Sequence, residues 1–512
     1  MTKRIHTALI AEFAEMMGIQ LGLSFPKERW LDLLKGVQAA SMEFGFDDPE
    51  ACIRWLMSNP LKKRQIETLA CQFTVGETYF FREPKVFEAL EKQILPGLIQ
   101  SRSESGRRIR FWSAGCCTGE EAYSLGILIS RMIGDLKNWN ISILATDINP
   151  LFLQRASEGV YREWSFRGTP YWLKEKYFKL NKDGNYEILP QIKKMVNFQY
   201  LNLVQDSYPS LFNDTNAMDF IFCRNVLMYF TQEHMIRAID RFYQCLMDKG
   251  WMVVGSSETS HVFFPQYTAC NFPGAILYHR DPAGKRRFMD CIPHDHPNFK
   301  GNDEPDFTAT LATEFRPHRE KPVPVRLRPK TVPVAEAKVE AEPARAKPEY
   351  EEVYSLYDAG EYGAVIMRTA EVMSQSPEDP KLMTLLSKTY ANQGNLNDAI
   401  VWCEKAISIE KLNPVFHHLR AVILQEQGHM EDAIASLKRA LYLDSNFVLA
   451  HFMLGNLSRQ AGKIRESKKY FENALALLNG SGQDAVITES GGLTAGRLKE
   501  MILLTLSREM KA

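Results

Sequence analysis

RIRFWSAGCCTGEEAYSLGILI, residues 108–129, is the stretch whose reading decides the fold. It opens as an apolar β-run ending in Ser113, Ala114 and Gly115, and closes as a helical pattern that begins at Thr118, Gly119, Glu120 and Glu121. Small residues at such a turn let a ligand approach the backbone. In a parallel α/β sheet the turn lies just outside the carboxyl edge, where nucleotides and related cofactors rest against the first strand. An acid follows at the end of the next β-run: Asp147 in ISILATDINP is placed to accept hydrogen bonds from two ribose hydroxyls. Strand, small-residue turn, helix, strand and acid is the order a nucleoside cofactor requires. A strand-to-helix turn followed by an acid also occurs in other α/β folds, so this pattern alone leaves the cofactor open.

Two absences narrow it. Gly115 is followed by two cysteines rather than by the rest of a G-x-G-x-x-G fingerprint, and no G-x-x-x-x-G-K-[ST] loop is present. Neither a dinucleotide nor a nucleoside triphosphate is indicated, whereas the phosphate-free S-adenosylmethionine (SAM) needs neither motif.

Around this turn, RIRFWSA, ISILATD, MVNFQYLN, DFIFCRN, GWMVVGS and GAILYHR alternate with helical stretches, which predicts an α/β fold with a mostly parallel, Rossmann-like sheet covered on both faces. The last run, behind Phe263 and Phe264, suits an antiparallel edge strand. Residues 1–82 carry apolar positions at three-and-four spacing and read as a helical cap domain, followed by a catalytic domain over 83–282. Residues 283–348, rich in Pro, Lys, Glu and Ala, read as a semi-extended linker. Cys291, His294 and His296 within it match no standard zinc spacing, so no metal is expected.

Beyond the linker the chain repeats itself. Gly360, Gly394, Gly428 and Gly462 are separated by steps of 34, and Ala406, Ala440 and Ala474 keep the same interval. Glycine at the helix turn and alanine at close helix contacts, at this period, are the tetratricopeptide (TPR) signature. An all-α TPR solenoid is expected over 349–480, its first unit degenerate with Val372 in the alanine position, and a tail over 481–512 with a capping helix.

At 512 residues the chain is long enough for several such units. Lys+Arg and Asp+Glu both number 62, so nothing pulls the whole chain toward nucleic acid or anionic lipid. Nine scattered cysteines suggest reduced thiols. No apolar run suits a signal peptide or a membrane span, and the expected location is cytoplasmic.

Four segments, TVGETYFFRE (74–83), SAGCCTGEEAYSLG (113–126), ATDINPLFLQRASEGVY (145–161) and FCRNVLMYF (222–230), together resemble the CheR-type chemoreceptor glutamate methyltransferases. The likeness covers about residues 5–282, and the attached TPR units are similar to CheR-type enzymes of alternative chemosensory pathways. The resemblance implies that SAM is the methyl donor and the cytoplasmic domain of a chemoreceptor the acceptor, with an unknown protein partner for the TPR array. It implies SAM contacts from Thr78 and Arg82, from Glu121 at the methionine end and from Asp147 at the ribose. Asn202, Leu203, Arg224 and Asn225 would complete the adenosine pocket, and Tyr229 would lie beside the methyl group. Many relatives carry asparagine where this chain has Gly76. The family's β-subdomain, here near 177–197, touches the receptor; its turn, KLNKDGNYEIL, looks shorter than in relatives that grip a receptor-tail pentapeptide.

The chemistry asks little more of the sequence. A glutamate acceptor, with an unperturbed pKa of about 4.3, is already ionised at neutral pH and needs no general base. The one histidine near a strand end of the catalytic domain is His261. Arg82 is then cast as the fork that orients the acceptor carboxylate, with Tyr229 facing the acceptor or the sulfonium. Phe80, Phe81, Cys116 and Cys117 are read as packing residues. Lys62, Lys63 and Arg64 could face an acidic receptor bundle or simply a solvated surface.

Overall fold

The computed structural model describes residues 5–104, 106–211, 213–281, 289–290, 348–375, 378–483, 485–490 and 493–509. Four helices, Thr7–Leu21, Trp30–Glu43, Pro49–Met57 and Lys63–Phe73, form the N-terminal unit. Their spacing turns Phe13, Met17, Leu33, Val37, Ile53 and Leu69 into one fully buried core. Gly36 permits its tightest contact, since a Cβ there would stand 2.2 Å from the Phe73 ring.

The strands are β1 (Arg108–Ala114), β2 (Asn140–Asp147), β3 (Val160–Tyr161), β4 (Phe178–Leu180), β5 (Tyr186–Ile188), β6 (Val196–Tyr200), β7 (Met218–Cys223), β8 (Leu246–Val254), β9 (Thr268–Phe272), β10 (Ala275–His279) and β11 (Met289–Asp290). The main sheet runs β11-β9-β10-β8-β7-β1-β2-β6. From β6 to β8 all neighbours are parallel, with Phe111 opposite both Ile143 and Phe220. Alternate residues of β1 serve opposite faces: Ile109 and Phe111 pack toward the helix Glu120–Met132, Trp112 and Ala114 toward the helix Gln232–Cys245. The chain leaves β1 toward β2 and β6, then returns to β7 on the other side, so a crevice opens where the carboxyl ends of β1 and β7 diverge.

The sheet differs from the sequence expectation at its far end. Ala275–His279 is not an edge strand: it lies between β8 and the unforeseen β9, whose TACNF has too short and mixed an apolar pattern to stand out. The two-residue β11 pairs with β9, carrying the sheet past residue 282. The small subdomain begins earlier than 177, because β3 completes a separate β3-β5-β4 sheet. Within its turn, Asn181 Oδ1 accepts from the backbone N–H groups of Asp183 and Asn185.

Four helix pairs follow: Pro348–Asp358 with Tyr362–Gln375, Pro380–Asn392 with Leu396–Ile409, Pro414–Glu426 with Met430–Leu443, and Val448–Gln460 with Ile464–Leu478; Ala495–Glu509 caps the stack. The glycine at each intra-pair turn has φ between +74° and +84°, the left-handed conformation that ends a helix most easily without a side chain. Ala406, Ala440 and Ala474 are buried at the helix contacts. Nearly all of the 283–348 linker, with Cys291, His294 and His296, lies outside the described residues.

This array is not merely tethered to the catalytic domain. Its first pairs pack on the amino edge of the sheet, where Leu211, between β6 and β7, joins Ala391, Ala399, Leu419 and Ile423 in one core. Glu426, the last residue of its helix, accepts hydrogen bonds from Arg108 and Arg110 of β1. Gln244 Nε2 donates to the Ala359 carbonyl at 2.7 Å.

Candidate active site

A cleft lies at the crevice between β1 and β7, under the edge of the N-terminal helices. Thr78, Arg82, Glu121, Asp147, Asn202, Leu203, Arg224, Asn225 and Tyr229 all line it. The chain brings these nine together from five separate segments, each ending or following a strand or helix at the carboxyl edge.

The turn after β1 is fastened to β2: the N–H groups of Gly115 and Cys116 both donate to the Thr146 carbonyl, at 2.7 and 2.9 Å. Gly115 holds φ +82°, and a Cβ on it would lie 2.4 Å from Val226 Cγ2, so this strand end and the loop after β7 touch because the residue is glycine. Asp147, 8% exposed, accepts from the N–H of Cys117 at 2.8 Å and of Asn149 at 2.9 Å. Burial pushes its carboxyl up to about 6 while the amide donors, Asn149, Cys117 and Ile148, pull it down. The contribution of Cys117 is its backbone, since burial drives both the Cys116 and Cys117 thiols up and away from thiolate chemistry.

Glu121 is held between Ser113, whose hydroxyl donates at 2.7 Å, and Arg224 Nη1 at 3.2 Å. Burial raises its pKa and the Arg224 charge opposes that. Arg224 also donates through Nη2 to the Arg82 carbonyl at 2.6 Å and pairs with Glu83 at 3.3 Å. Its guanidinium thus braces three segments around the cleft that it also lines.

Asn202 is also engaged. Its Nδ2 donates to the Gln20 carbonyl and its Oδ1 accepts from the Val204 N–H, both at 3.0 Å, so its amide ties the cap helix to the loop after β6. Asn225 sits at φ +58°, and its Oδ1 is buried without a hydrogen-bond partner among the described residues. A buried acceptor on a residue that lines the cleft suits a donor that the chain itself does not supply.

Glu258 had no sequence signal, because its partners are backbone amides. Its carboxylate accepts from the N–H groups of Asn225 (2.6 Å), Val226 (2.8 Å), Met228 (3.1 Å) and Gly255 (2.8 Å), fixing the loop that carries Asn225 and Tyr229. At the mouth, Tyr229 is half-buried and its carbonyl accepts from the Ser24 N–H at 2.7 Å. Arg82, also half-buried, donates through Nη1 to the Glu77 carbonyl at 2.9 Å.

Phe80 is core, stacked on Phe166 at 4.9 Å, and Phe81 packs on Phe87. At Gly76 a Cβ would come within 2.9 Å of the Phe152 ring, so the cleft-lining Phe152 takes space that a side chain there would need. Lys63 is committed to Glu67 at 3.6 Å and lies over the Tyr200 ring.

A parallel sheet with an acid at the end of β2, a glycine turn after β1 and a cleft without phosphate-binding loop together make the site of an α/β enzyme that takes a nucleoside cofactor. Residues 76–269 match the family model described as CheR methyltransferase, SAM binding domain, and residues 380–411, 416–447 and 448–477 match Tetratricopeptide repeat. The first helix pair lies outside those matches, in keeping with its degenerate sequence. A chemotaxis protein methyltransferase of Borreliella burgdorferi is 36% identical over 197 residues, covering 38% of this chain and 68% of that protein. Chemotaxis protein methyltransferase 2 of Vibrio cholerae is 32% identical, covering 43% and 75%, and chemotaxis protein methyltransferase 1 of Pseudomonas aeruginosa is 34% identical, covering 41% and 76%. This chain belongs to the CheR family of chemotaxis protein methyltransferases. Among the described residues no helix is long and apolar enough to cross a membrane.

Proposed function

We propose that the chain esterifies glutamate side chains on the cytoplasmic domain of a chemoreceptor, leaving glutamyl methyl esters and S-adenosylhomocysteine, and that its TPR array binds a protein partner of the same pathway. The observation that carries this reading is the composition of the cleft mouth. Arg82 and Tyr229 stand there, and no histidine is among the residues lining the cleft. An amine acceptor would have to lose a proton, whereas a carboxylate arrives ionised and needs only to be held.

SAM, when bound, supplies an electrophilic methyl on a neutral leaving group. The chain's own residues account for the rest. Asp147 is the acceptor for two ribose hydroxyls, and Asn225 Oδ1 offers a buried acceptor toward the base. Glu121, paired with Arg224, attracts the methionine ammonium. Thr78, Asn202 and Leu203 shape the wall. Arg82 holds the acceptor carboxylate by its free donors, so that alignment supplies most of the acceleration.

Incubation with tritiated SAM and receptor cytoplasmic domains tests the reading. Base-labile label released as methanol is expected; base-stable label on the receptor would overturn the glutamate assignment. SAM binding without labelling of any receptor would overturn the enzymatic reading.

A further inference from the structure

After β3 the chain makes a single helical turn, Glu163–Phe166, that touches two of the segments lining the cleft. The Ser165 carbonyl accepts from the Phe80 N–H at 2.9 Å, and the Ser165 hydroxyl donates to Glu120 Oε1 at 3.0 Å, one residue before the cleft-lining Glu121. Arg167, just beyond the turn, is anchored to it through Nη1, which donates to the Trp164 carbonyl at 2.9 Å. From that anchor it reaches the segment that leads to Arg82. Its Nη2 donates to the Glu77 carboxylate, and its guanidinium stands 4.1 Å from the centre of the Tyr79 ring and 4.6 Å from that of Trp164.

Arg82 leans on the same two residues. Its Nη1 donates to the Glu77 carbonyl at 2.9 Å, and its guanidinium lies 5.8 Å from the centre of the Tyr79 ring. Glu77 is therefore held from both ends, its side chain by Arg167 and its carbonyl by Arg82. Glu77, Thr78, Tyr79 and Arg82 all line the cleft, whereas Arg167 stands outside it. The ion pair with Glu77 would fix little by itself, because the Glu77 side chain is 60% exposed. Contact with the Tyr79 and Trp164 rings supplies the missing rigidity, and only a planar guanidinium can lie against rings while donating in its own plane.

We infer that Arg167 is a positioning residue for methyl transfer: it fixes Glu77 and Tyr79, and through them sets the direction in which Arg82 presents its fork to the acceptor carboxylate. This deepens the reading of Arg82 as the group that holds the acceptor, and rests on it. Arg82 spends one donor on the Glu77 carbonyl, so its remaining donors stay aligned only while that carbonyl stays in place. Alignment is what the reaction asks of Arg82, and a small displacement of the segment is therefore felt in the rate.

The test uses the full chain, tritiated SAM and the receptor cytoplasmic domain that accepts label. Arg167→Ala is expected to lower kcat about tenfold, while SAM affinity, which Asp147, Glu121 and Asn225 carry, moves less than about threefold. Arg167→Lys keeps the ion pair but not the planar stack, and should recover only part of the loss. The deciding measurement is a double-mutant cycle. In an Arg82→Ala chain, adding Arg167→Ala should cost less than about twofold in kcat, because the group through which it acts is gone. A further loss of about tenfold on that background would overturn the inference and leave Arg167 a structural residue. An Arg82→Ala chain as active as wild type would instead overturn the reading of Arg82 itself, so the two failures are told apart. Hydrogen exchange of the 77–82 amides needs no acceptor; it should quicken at least about fivefold in Arg167→Ala with the melting profile unchanged, and an unaltered rate there also sinks the inference.

Discussion

Replacing Glu426 with alanine tests the join between the two halves of the chain. The Glu426 side chain is 9% exposed, that of Arg110 3% and that of Arg108 15%, so deletion of the carboxylate strands two guanidiniums in a nearly dry contact. Arg110 keeps the Asp214 carbonyl at 2.6 Å and the attraction of the Asp214 carboxylate, and its Nε has no partner among the described residues. Removing one member of a buried pair costs about 3–5 kcal/mol when the survivor is left charged and unmatched, and the Asp214 and Asp219 carboxylates, which also act on these arginines, set the loss here toward the lower figure. For a domain of some 200 residues, a loss of that size lowers the midpoint of thermal unfolding by about 6–20 °C. The drop is bounded by the free energy of docking, since an array that lets go returns both arginines to water. Calorimetry of the full chain reads the effect, with Glu426→Gln as a milder companion. A shift below about 2 °C for Glu426→Ala would mean that the two halves do not share this interface in solution.

Three further outcomes follow from the cleft. Glu258→Gln removes the charge that four backbone N–H groups share; at about 1.5–3 kcal/mol for hydrogen bonds to a charged group, SAM affinity should fall roughly tenfold or more, and unchanged affinity by calorimetric titration would exclude the bracing role. Arg82→Lys retains charge but loses the planar fork, so kcat should fall by about tenfold or more while the KM for SAM moves little; a change confined to that KM would place Arg82 on the donor instead of the acceptor. Asp147, lifted by burial to about 6, must be ionised to accept from both ribose hydroxyls. Its affinity for SAM is therefore full above that value and should weaken about tenfold between pH 7 and pH 5, with Asp147→Asn weaker throughout and flat; a flat wild-type profile would sink the assignment.

Much of this molecule is legible in its sequence because local signals and tertiary need coincide. β1 must leave its last residues small where the cofactor approaches, and Ser113, Ala114 and Gly115 announce it. The TPR turns need left-handed residues every 34 positions, and glycine marks each. What stayed hidden lacks a local signal. Glu258 serves amides that any sequence would present, so nothing but the fold shows its purpose. Arg108 and Arg110 alternate with Ile109 and Phe111 as on the solvated start of a strand, and Glu426 looks like an ordinary charged residue at a helix end; only their meeting reveals an interface. Arg224 and Asn202 were found by motif but not by contact: each lines the cleft, yet each spends its polar groups holding neighbouring segments together. β9, five residues with asparagine and cysteine inside, is too short for its period to be counted.

The placement of the array bears on how a partner could act through it. Glu426 grips the amino end of β1, and the cofactor turn begins at its carboxyl end. Seven residues of strand separate these points, about 20 Å at the usual rise. Every residue lining the cleft falls between positions 21 and 230, so no helix of the docked array helps to wall or cover it. Inhibition by plugging the cleft with the array would therefore require the Glu426 contact to break and the array to travel around the sheet. Recruitment requires neither: a partner held on the array leaves the cleft open to a receptor. The same strand gives regulation one further route, since whatever loosens Arg108 and Arg110 at one end acts on the element that positions Gly115 at the other. If the array does inhibit, Glu426→Ala should relieve or deepen that inhibition along with its loss of stability; if it only recruits, catalysis on a receptor peptide free in solution should be indifferent to the docking contact.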